Sequence, residues 1–261
     1  MTPLSGNANF SCCVKRGCNV KAQRITITAF LSVGLLAFLA VAHVRAEEAN
    51  DIASLDKEIV KLYKSGNYDK AMGLAEESVA LCESKYGADH RETLKRINNL
   101  AALYRSKHRY AEAEQLQRRA IAGLERQLGA DHPETLTSVS NLATVYRAQG
   151  RYAEAEPLYQ RALAGFDRNL GSQHPDTLSA MNNLAALYRA EHRYVESEDL
   201  FKRTIAIREQ VLGKVHPSTM SSLSGLALLY YAMGRDAEAE SIFRQLIQAS
   251  EQNPGLSQDE R

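Results

Sequence analysis

Four histidines recur at intervals of 42 residues along this chain, at His90, His132, His174 and His216. Imidazole is a common metal ligand and general base, so a regular set of histidines could indicate a metal centre. Metal ligands must lie about 2 Å from one shared ion, however, and residues one whole repeat apart are too distant for that. No loop contributes two ligands either. We therefore expect each histidine to pack or cap at the start of a helix, with no metal bound.

Pairs of glutamates separated by one residue could in principle provide the acid and the base of a catalytic site. They occur at Glu112 and Glu114, at Glu154 and Glu156, and at Glu238 and Glu240. Residues two positions apart on a helix do not face each other, which favours a solvated face over a catalytic pair. The chain also has no glycine-rich phosphate loop, no nucleophile elbow and no Cys/His metal spacing. We expect no enzyme activity and no cofactor.

The charge distribution sets the first 46 residues apart from the rest. This segment carries no acid and the cations Lys15, Arg16, Lys21, Arg24 and Arg45. Without them, 27 of the 32 basic residues remain against 31 acidic residues, a net charge of −4. A mildly acidic body with no basic stripe argues against nucleic acid as a partner. Beyond this segment Cys82 is the only cysteine, so no intrachain disulfide is expected there.

Residues 25–42 carry no charge and follow Lys21 and Arg24, the arrangement of a secretory signal. Small residues suited to cleavage end at Ala42 and Ala46. The apolar stretch is also barely long enough to span a bilayer. Residues 1–46 are therefore predicted to be a signal peptide or, alternatively, a retained membrane anchor; a buried cytosolic helix is a third interpretation. The first makes the protein exported, periplasmic or secreted, and the second anchors it in the inner membrane facing the periplasm.

A long repeat surrounds the four histidines. It reads HRETLKRINNLAALYRSKHRYAEAE from His90, HPETLTSVSNLATVYRAQGRYAEAE from His132, HPDTLSAMNNLAALYRAEHRYVESE from His174 and HPSTMSSLSGLALLYYAMGRDAEAE from His216. A degenerate copy precedes them in residues 62–87. Each copy is long enough to form two helices joined by a turn. We therefore expect one helix pair per repeat, with the pairs stacked along the chain.

The periodicity within a copy is helical. Ile97, Leu100, Ala101 and Tyr104 form one apolar stripe at the spacing i, i+3, i+4, i+7. After a turn at 107–109, a second helix is predicted over residues 110–127. Gly129 is the expected stop of that helix, and a proline opens the next helix in three copies, at Pro133, Pro175 and Pro217.

Small residues recur where the two helices must meet closely, at Ala101, Ala143, Ala185 and Ala227 and at Ala113, Ala155 and Ala239. With the spacing L-A-x-x-Y they resemble the tetratricopeptide repeat. The 42-residue period with L-G-x-x-H-P-x-T-L and N-L-A-x-L-Y looks like the longer variant found in kinesin light chains. Two positions depart from that pattern: Gln117 stands where Tyr159, Phe201 and Phe243 keep an aromatic, and Asp236 replaces a tyrosine.

The resemblance covers residues 51–250 and implies an all-α fold, a right-handed superhelical solenoid of about five antiparallel helix pairs. We place the pairs at residues 51–87, 88–129, 130–171, 172–213 and 214–250. The polar tail 251–261 is predicted to be disordered.

Stacked helix pairs leave a concave face, and the helix side opposite the apolar stripe should line it. Together with bordering asparagines, that side gives the candidate peptide-binding residues Asn98, Asn99, Arg105, Ser140, Asn141, Arg147, Asn182, Asn183 and Arg189. Asparagine and serine can bond an extended peptide backbone, and arginine offers a fork to carboxylates. We call Arg105, Arg147 and Arg189 the arginine row. In kinesin light chains the analogous groove takes short acidic peptides, and the resemblance implies such a partner here.

These observations predict a non-catalytic protein–protein interaction scaffold outside the cytoplasm, which binds a peptide or partner protein on its concave face. An accessory or regulatory subunit of a periplasmic or membrane-associated enzyme or transport complex is the alternative. Binding through another surface, and a groove that is merely solvated, are alternatives to the predicted face. A membrane contact is expected only through residues 25–42, if they are not cleaved.

Overall fold

The structure is a computed structural model that describes residues 52–252. The predicted leader, residues 1–46, and residues 253–261 of the predicted tail lie outside the described part. Within it, α10 runs as far as Gln252, so its last residues extend into the segment expected to be a disordered tail.

Ten helices follow one another in residues 52–252, with short turns and no strand between them. They are α1 (residues 52–64), α2 (Tyr68–Tyr86), α3 (Arg91–Ser106), α4 (Tyr110–Leu128), α5 (Pro133–Ala148), α6 (Tyr152–Leu170), α7 (Pro175–Ala190), α8 (Tyr194–Leu212), α9 (Pro217–Ala232) and α10 (Asp236–Gln252). The predicted all-α solenoid of five antiparallel helix pairs is confirmed.

The packing order determines which helices form the inner side of the stack. Each helix from α2 to α10 packs against its neighbours in the chain, and the first helices of consecutive pairs also contact one another: α3 with α5, α5 with α7, and α7 with α9. The second helices of these pairs do not pack on one another as closely. The stack therefore curves toward the first helices, whose exposed sides form its concave face.

The regular histidines cap the first helices, one of the two roles that their position predicts. In α3, α5 and α7 the histidine Nδ1 accepts a hydrogen bond from the backbone N–H two residues on, at 3.2 Å, and in α9 at 3.1 Å. Each helix N-terminus has unsatisfied N–H groups, and this bond satisfies one of them. The residue three positions before each histidine is a glycine with φ between 90 and 99°, a backbone conformation that favours glycine.

The predicted stripe Ile97, Leu100, Ala101 and Tyr104 is buried. The alanines at the helix crossings are also buried, with 0% exposure at Ala101, Ala143, Ala185 and Ala227. In α6, residue 165 is a glycine packed against Leu136. A Cβ at this position would overlap the methyl groups of Leu136. This contact lets α5 and α6 pack closely.

A carboxylate and an arginine close the junctions between consecutive pairs. We use the name Glu–Arg junctions for the ion pairs Glu114–Arg151, Glu156–Arg193 and Glu198–Arg235, whose atoms lie 2.7, 2.8 and 2.9 Å apart. Each glutamate lies on a second helix, and each arginine immediately precedes the next second helix. The guanidinium also stacks on a tyrosine of its own pair, 4.2, 3.9 and 4.0 Å from the rings of Tyr146, Tyr188 and Tyr230.

These junctions correct one interpretation made from the sequence. Glu112 and Glu154 lie on a solvated face as expected, with side chains 42% and 52% exposed. The second glutamates of the same runs do not: Glu114 and Glu156 are only 18% and 24% exposed. Burial alone would raise the pKa of Glu114, but hydrogen bonds from Arg151, Arg118 and Tyr146 outweigh it and lower that pKa.

We expect Glu114→Gln to reduce the free energy of unfolding by about 1–2 kcal/mol, because it removes charge-assisted hydrogen bonds from a half-buried junction. Urea unfolding followed by circular dichroism measures the change. Glu240→Gln is the matched control, since Glu240 has the same register in α10 but is 63% exposed and bonds only Arg244. The control should change stability by less than about 0.5 kcal/mol. Equal effects of both substitutions would contradict the role of the junction.

Candidate functional site

The arginine row lies along three consecutive first helices. Arg105, Arg147 and Arg189 each occupy the last turn of their helix, in α3, α5 and α7. All three side chains are half-buried. A cation in the last turn of a helix is favourable because the helix dipole is negative there. The equivalent residue of α9 is Tyr231, 68% exposed, so the row ends at α7.

The row differs from the rest of the described arginines in having no partner. The side chains of Arg105, Arg147 and Arg189 make no hydrogen bond or ion pair with any described residue, and Arg147 Nε is buried without an acceptor. Other arginines of residues 52–252 bond carboxylates, apart from Arg208, which bonds Ser218 O and two serine hydroxyls. The pKa of Arg189 is lowered, first by burial and then by the nearby charge of Arg147.

Two of the predicted asparagines bond the neighbouring repeat. Asn98 donates its Nδ2–H to Ser138 Oγ at 2.8 Å, which links α3 to α5. Asn182 Oδ1 accepts a hydrogen bond from Ser222 Oγ at 2.9 Å, which links α7 to α9. The Oδ1 atom of Asn98 is buried and has no partner. These side chains therefore hold first helices together, and Asn98 keeps one acceptor that no described residue satisfies.

The other predicted polar residues differ in exposure. Asn99 is exposed, while Asn141 and Asn183 are half-buried, and the three side chains make no hydrogen bond with a described residue. Ser140 is 9% exposed, less than a residue on an open face would be. The bordering asparagines thus have free amide groups at the same face as the arginine row.

Two adjacent cavities bring most of these residues together. A cavity of about 330 Å³ is lined by Ala101, Ala102, Arg105, Gln117, Asn141, Thr144, Val145, Arg147 and Asn183. A cavity of about 440 Å³ includes Lys95, Asn98, Asn99 and Asn141. We call the first the Gln117 cavity. Ser140, Asn182 and Arg189 line neither of the two.

Gln117 and Thr144 were not among the predicted binding residues. The sequence shows only that Gln117 replaces the aromatic residue found at this position in later repeats. Such a replacement does not by itself predict a cavity. Thr144 belongs to the predicted face, but nothing in its spacing shows that it borders an opening. Its hydroxyl accepts a hydrogen bond from Tyr159 at 2.9 Å.

The described residues contain neither a candidate metal site nor an accessible thiol. Among residues 52–252, histidine, cysteine and carboxylate side chains nowhere gather in threes that could hold a metal ion. Cys82 is buried and burial raises its pKa, which keeps the thiol protonated. The arrangement of unpaired guanidinium and amide groups is suited to hydrogen bonding with a peptide and with carboxylates.

Comparison with protein families matches most of the chain. Residues 60–126, 96–168, 134–210 and 176–252 each match the family model of the tetratricopeptide repeat. The four matches overlap and extend from the first helix pair to the last. A comparison with curated proteins finds no match.

Solved structures give the same fold. A Podosopora anserina protein described as a kinesin light chain with nearly identical TPR-like repeats is 28% identical, with a TM-score of 0.60 over 77% of this chain and 96% of that one. A variant of it reaches a TM-score of 0.62. BtubC (BKLC) from P. vanneervenii is 22% identical, with a TM-score of 0.60 over 78% and 83% of the two chains. At 22% identity, the similarity to BtubC shows only that the two proteins share a fold.

Because Arg189 lies half-buried beside Arg147 without a counter-charge, Arg189→Gln should raise the free energy of unfolding by about 0.5 kcal/mol, or about 1–2 °C in the melting temperature. Arg193→Gln is the control, since it removes the ion pair with Glu156 and should lower stability. The gain from Arg189→Gln should shrink in 1 M salt, where like charges are screened. A loss of stability on Arg189→Gln would show that the guanidinium has a partner.

Proposed function

The chain belongs to the tetratricopeptide repeat family, and on this basis we propose that it is a scaffold that binds an acidic peptide segment of a partner protein on its concave face. Proteins of this family are generally non-catalytic scaffolds for protein–protein interaction.

The observation that supports this proposal is the absence of partners for the arginine row. The body of the chain has more acids than bases, and most of its arginines are neutralised in ion pairs. Three guanidinium groups left unpaired at equivalent positions of α3, α5 and α7 therefore favour an external anion. Arginine binds carboxylates through two parallel N–H groups, which fixes the geometry of the contact as well as its charge.

The spacing of the row suits an extended chain. First helices that contact one another lie about 8–10 Å apart, and a peptide in the extended polyproline II conformation advances about 3.1 Å per residue with three residues per turn. Acidic residues about three positions apart would therefore point to the same side and meet successive arginines. The free amides of Asn141 and Asn183 lie at the same face and can bond the peptide backbone between those contacts.

The double variant Arg105→Glu/Arg147→Glu tests this proposal. On an array of 12-residue peptides, wild-type protein should bind preferentially to peptides with acidic residues about three apart. The double variant should lose at least about tenfold in affinity for them, since each substitution replaces an attraction by a repulsion.

Arg126→Glu/Arg168→Glu is the matched control for that experiment. It makes the same change in charge, also in the last helical turn, but on the second helices α4 and α6, where the two arginines are about 60% exposed and pair with Asp89 and Asp131. Its peptide binding should stay within about twofold of wild type, because exposed charges contribute little. Equal losses in both variants, or no loss in the groove variant, would refute binding by the arginine row.

We also propose that this scaffold works outside the cytoplasm. The support is the sequence of residues 25–42, an uncharged apolar stretch behind Lys21 and Arg24. In residues 52–252, no helix is both long enough and apolar enough to span a bilayer.

Fractionation of cells that express the full chain, and a variant without residues 1–46, tests the location. The full chain should appear in the periplasmic or secreted fraction, or in the membrane fraction if the leader is retained. The shortened variant should stay in the cytoplasm. Cytoplasmic, soluble full-length protein with an intact N-terminus would refute export.

A further inference from the structure

Gln117 occupies a position at which the following repeats carry an aromatic residue. The equivalent residues of the next two second helices are Tyr159 and Phe201, and both are buried aromatic side chains, 0% and 1% exposed. Gln117 is equally buried, 1% exposed, but its side chain is smaller than an aromatic ring. The Gln117 cavity of about 330 Å³ opens beside it. A cavity therefore borders the position that an aromatic ring occupies in the neighbouring repeats.

The amide of Gln117 has no partner in the described structure. Its Oε1 atom is buried and accepts no hydrogen bond. A buried polar group without a partner destabilises the folded state, and native structures contain few of them, so each needs an explanation. The next repeat shows the satisfied form, in which Tyr159 donates its hydroxyl proton to Thr144 Oγ1 at 2.9 Å. Nothing comparable satisfies Gln117.

A second unpartnered group lines the same cavity. Arg147 Nε is buried without an acceptor, and Arg105, whose guanidinium is unpaired, also lines the cavity. No carboxylate is among the lining residues. Two positive charges without an anion, in a partly enclosed space, exclude a cation as the occupant, and the polar lining disfavours an apolar group.

We propose that the Gln117 cavity is the anchoring subsite of the groove, and that it holds one carboxylate side chain of the bound peptide between Arg105 and Arg147. This inference rests on the proposed function and identifies the repeat that contributes most to peptide binding. The Gln117 amide can turn over by 180°, which exchanges its oxygen for its NH₂ group with little steric change. It then donates to the same carboxylate, so that all three groups gain an acceptor.

The charge of the arginine row would attract acidic peptides at every repeat, and at this repeat a cavity borders the two arginines Arg105 and Arg147. A charge-assisted hydrogen bond is stronger in a site that excludes water. The equivalent positions of the next two second helices are occupied by the buried aromatic rings of Tyr159 and Phe201, and Arg189 does not line the Gln117 cavity. The contribution of the three arginines is therefore expected to be unequal.

Gln117→Tyr tests the subsite, because it introduces the side chain that the next repeat already carries at this position. A fluorescent (Glu)₈ peptide is the probe and (Gln)₈ its uncharged counterpart, with affinity measured by fluorescence anisotropy. Wild type should bind (Glu)₈ and not (Gln)₈. The variant should bind (Glu)₈ about tenfold more weakly, while its melting temperature stays the same or rises.

Phe243→Tyr is the matched control, since Phe243 has the same register in α10, where no first helix of the described chain follows. Its affinity for (Glu)₈ should equal that of wild type. If Gln117→Tyr fails to fold, Gln117→Met replaces it, because methionine keeps the length of the side chain but removes the amide. That variant should lose about threefold in affinity.

Three results would overturn the subsite. If Gln117→Tyr binds (Glu)₈ as wild type does while Arg105→Glu/Arg147→Glu does not, the groove binds acids without the cavity, and only the subsite fails. If Gln117→Tyr does not fold and Gln117→Met binds as wild type does, the subsite also fails alone. If wild type does not bind (Glu)₈, or the arginine variant binds it equally well, the proposed function fails and the subsite with it.

Discussion

The Glu–Arg junctions hold the third, fourth and fifth helix pairs each at a fixed rotation relative to the pair before it. Each junction joins a half-buried glutamate of one second helix to an arginine that stacks on a tyrosine of the next pair. A stack in which every unit touches only its neighbours accumulates any rotation from one end to the other. The alignment of the arginine row on consecutive first helices therefore depends on these contacts, although none of them lies at the concave face.

The same contacts separate the charges of the molecule into two sets. Glutamates of the second helices neutralise the arginines of the junctions. Against the effect of burial, Arg151 and its neighbours lower the pKa of Glu114. The pKa of Glu198 is lowered first by the hydrogen bond from Lys202, with a smaller contribution from Arg235. The first helices carry arginines without such partners, and burial lowers the pKa of Arg189. Unpaired, half-buried charges reduce the stability of the fold. Their presence at the one face that curves inward is consistent with a binding role, because stability and function commonly compete at such sites.

Much of this architecture was predictable, because a 42-residue period and an i, i+3, i+4, i+7 stripe fix the helices and their buried sides. The histidine caps and the arginine row followed from the same register. What could not be predicted depends on contacts between repeats. Asn98 and Asn182 face the groove in a helical projection, yet they bond serines of the next first helix. Glu114 has an exposed neighbour at Glu112, and only the rotation between pairs decides which of the two is half-buried. The cavity at Gln117 depends on volumes that a sequence pattern does not give.

The central claim is that the arginine row, anchored at Gln117, is where this scaffold binds an acidic chain. The most direct measurement is the NMR signal of each arginine Nε–H during titration of residues 47–261 with (Glu)₈. The account predicts that Arg105 and Arg147 shift most, that Arg189 shifts less, and that the junction arginines Arg151, Arg193 and Arg235 do not move. Shifts concentrated in exposed arginines such as Arg126 and Arg168, or spread evenly over all of them, would contradict it.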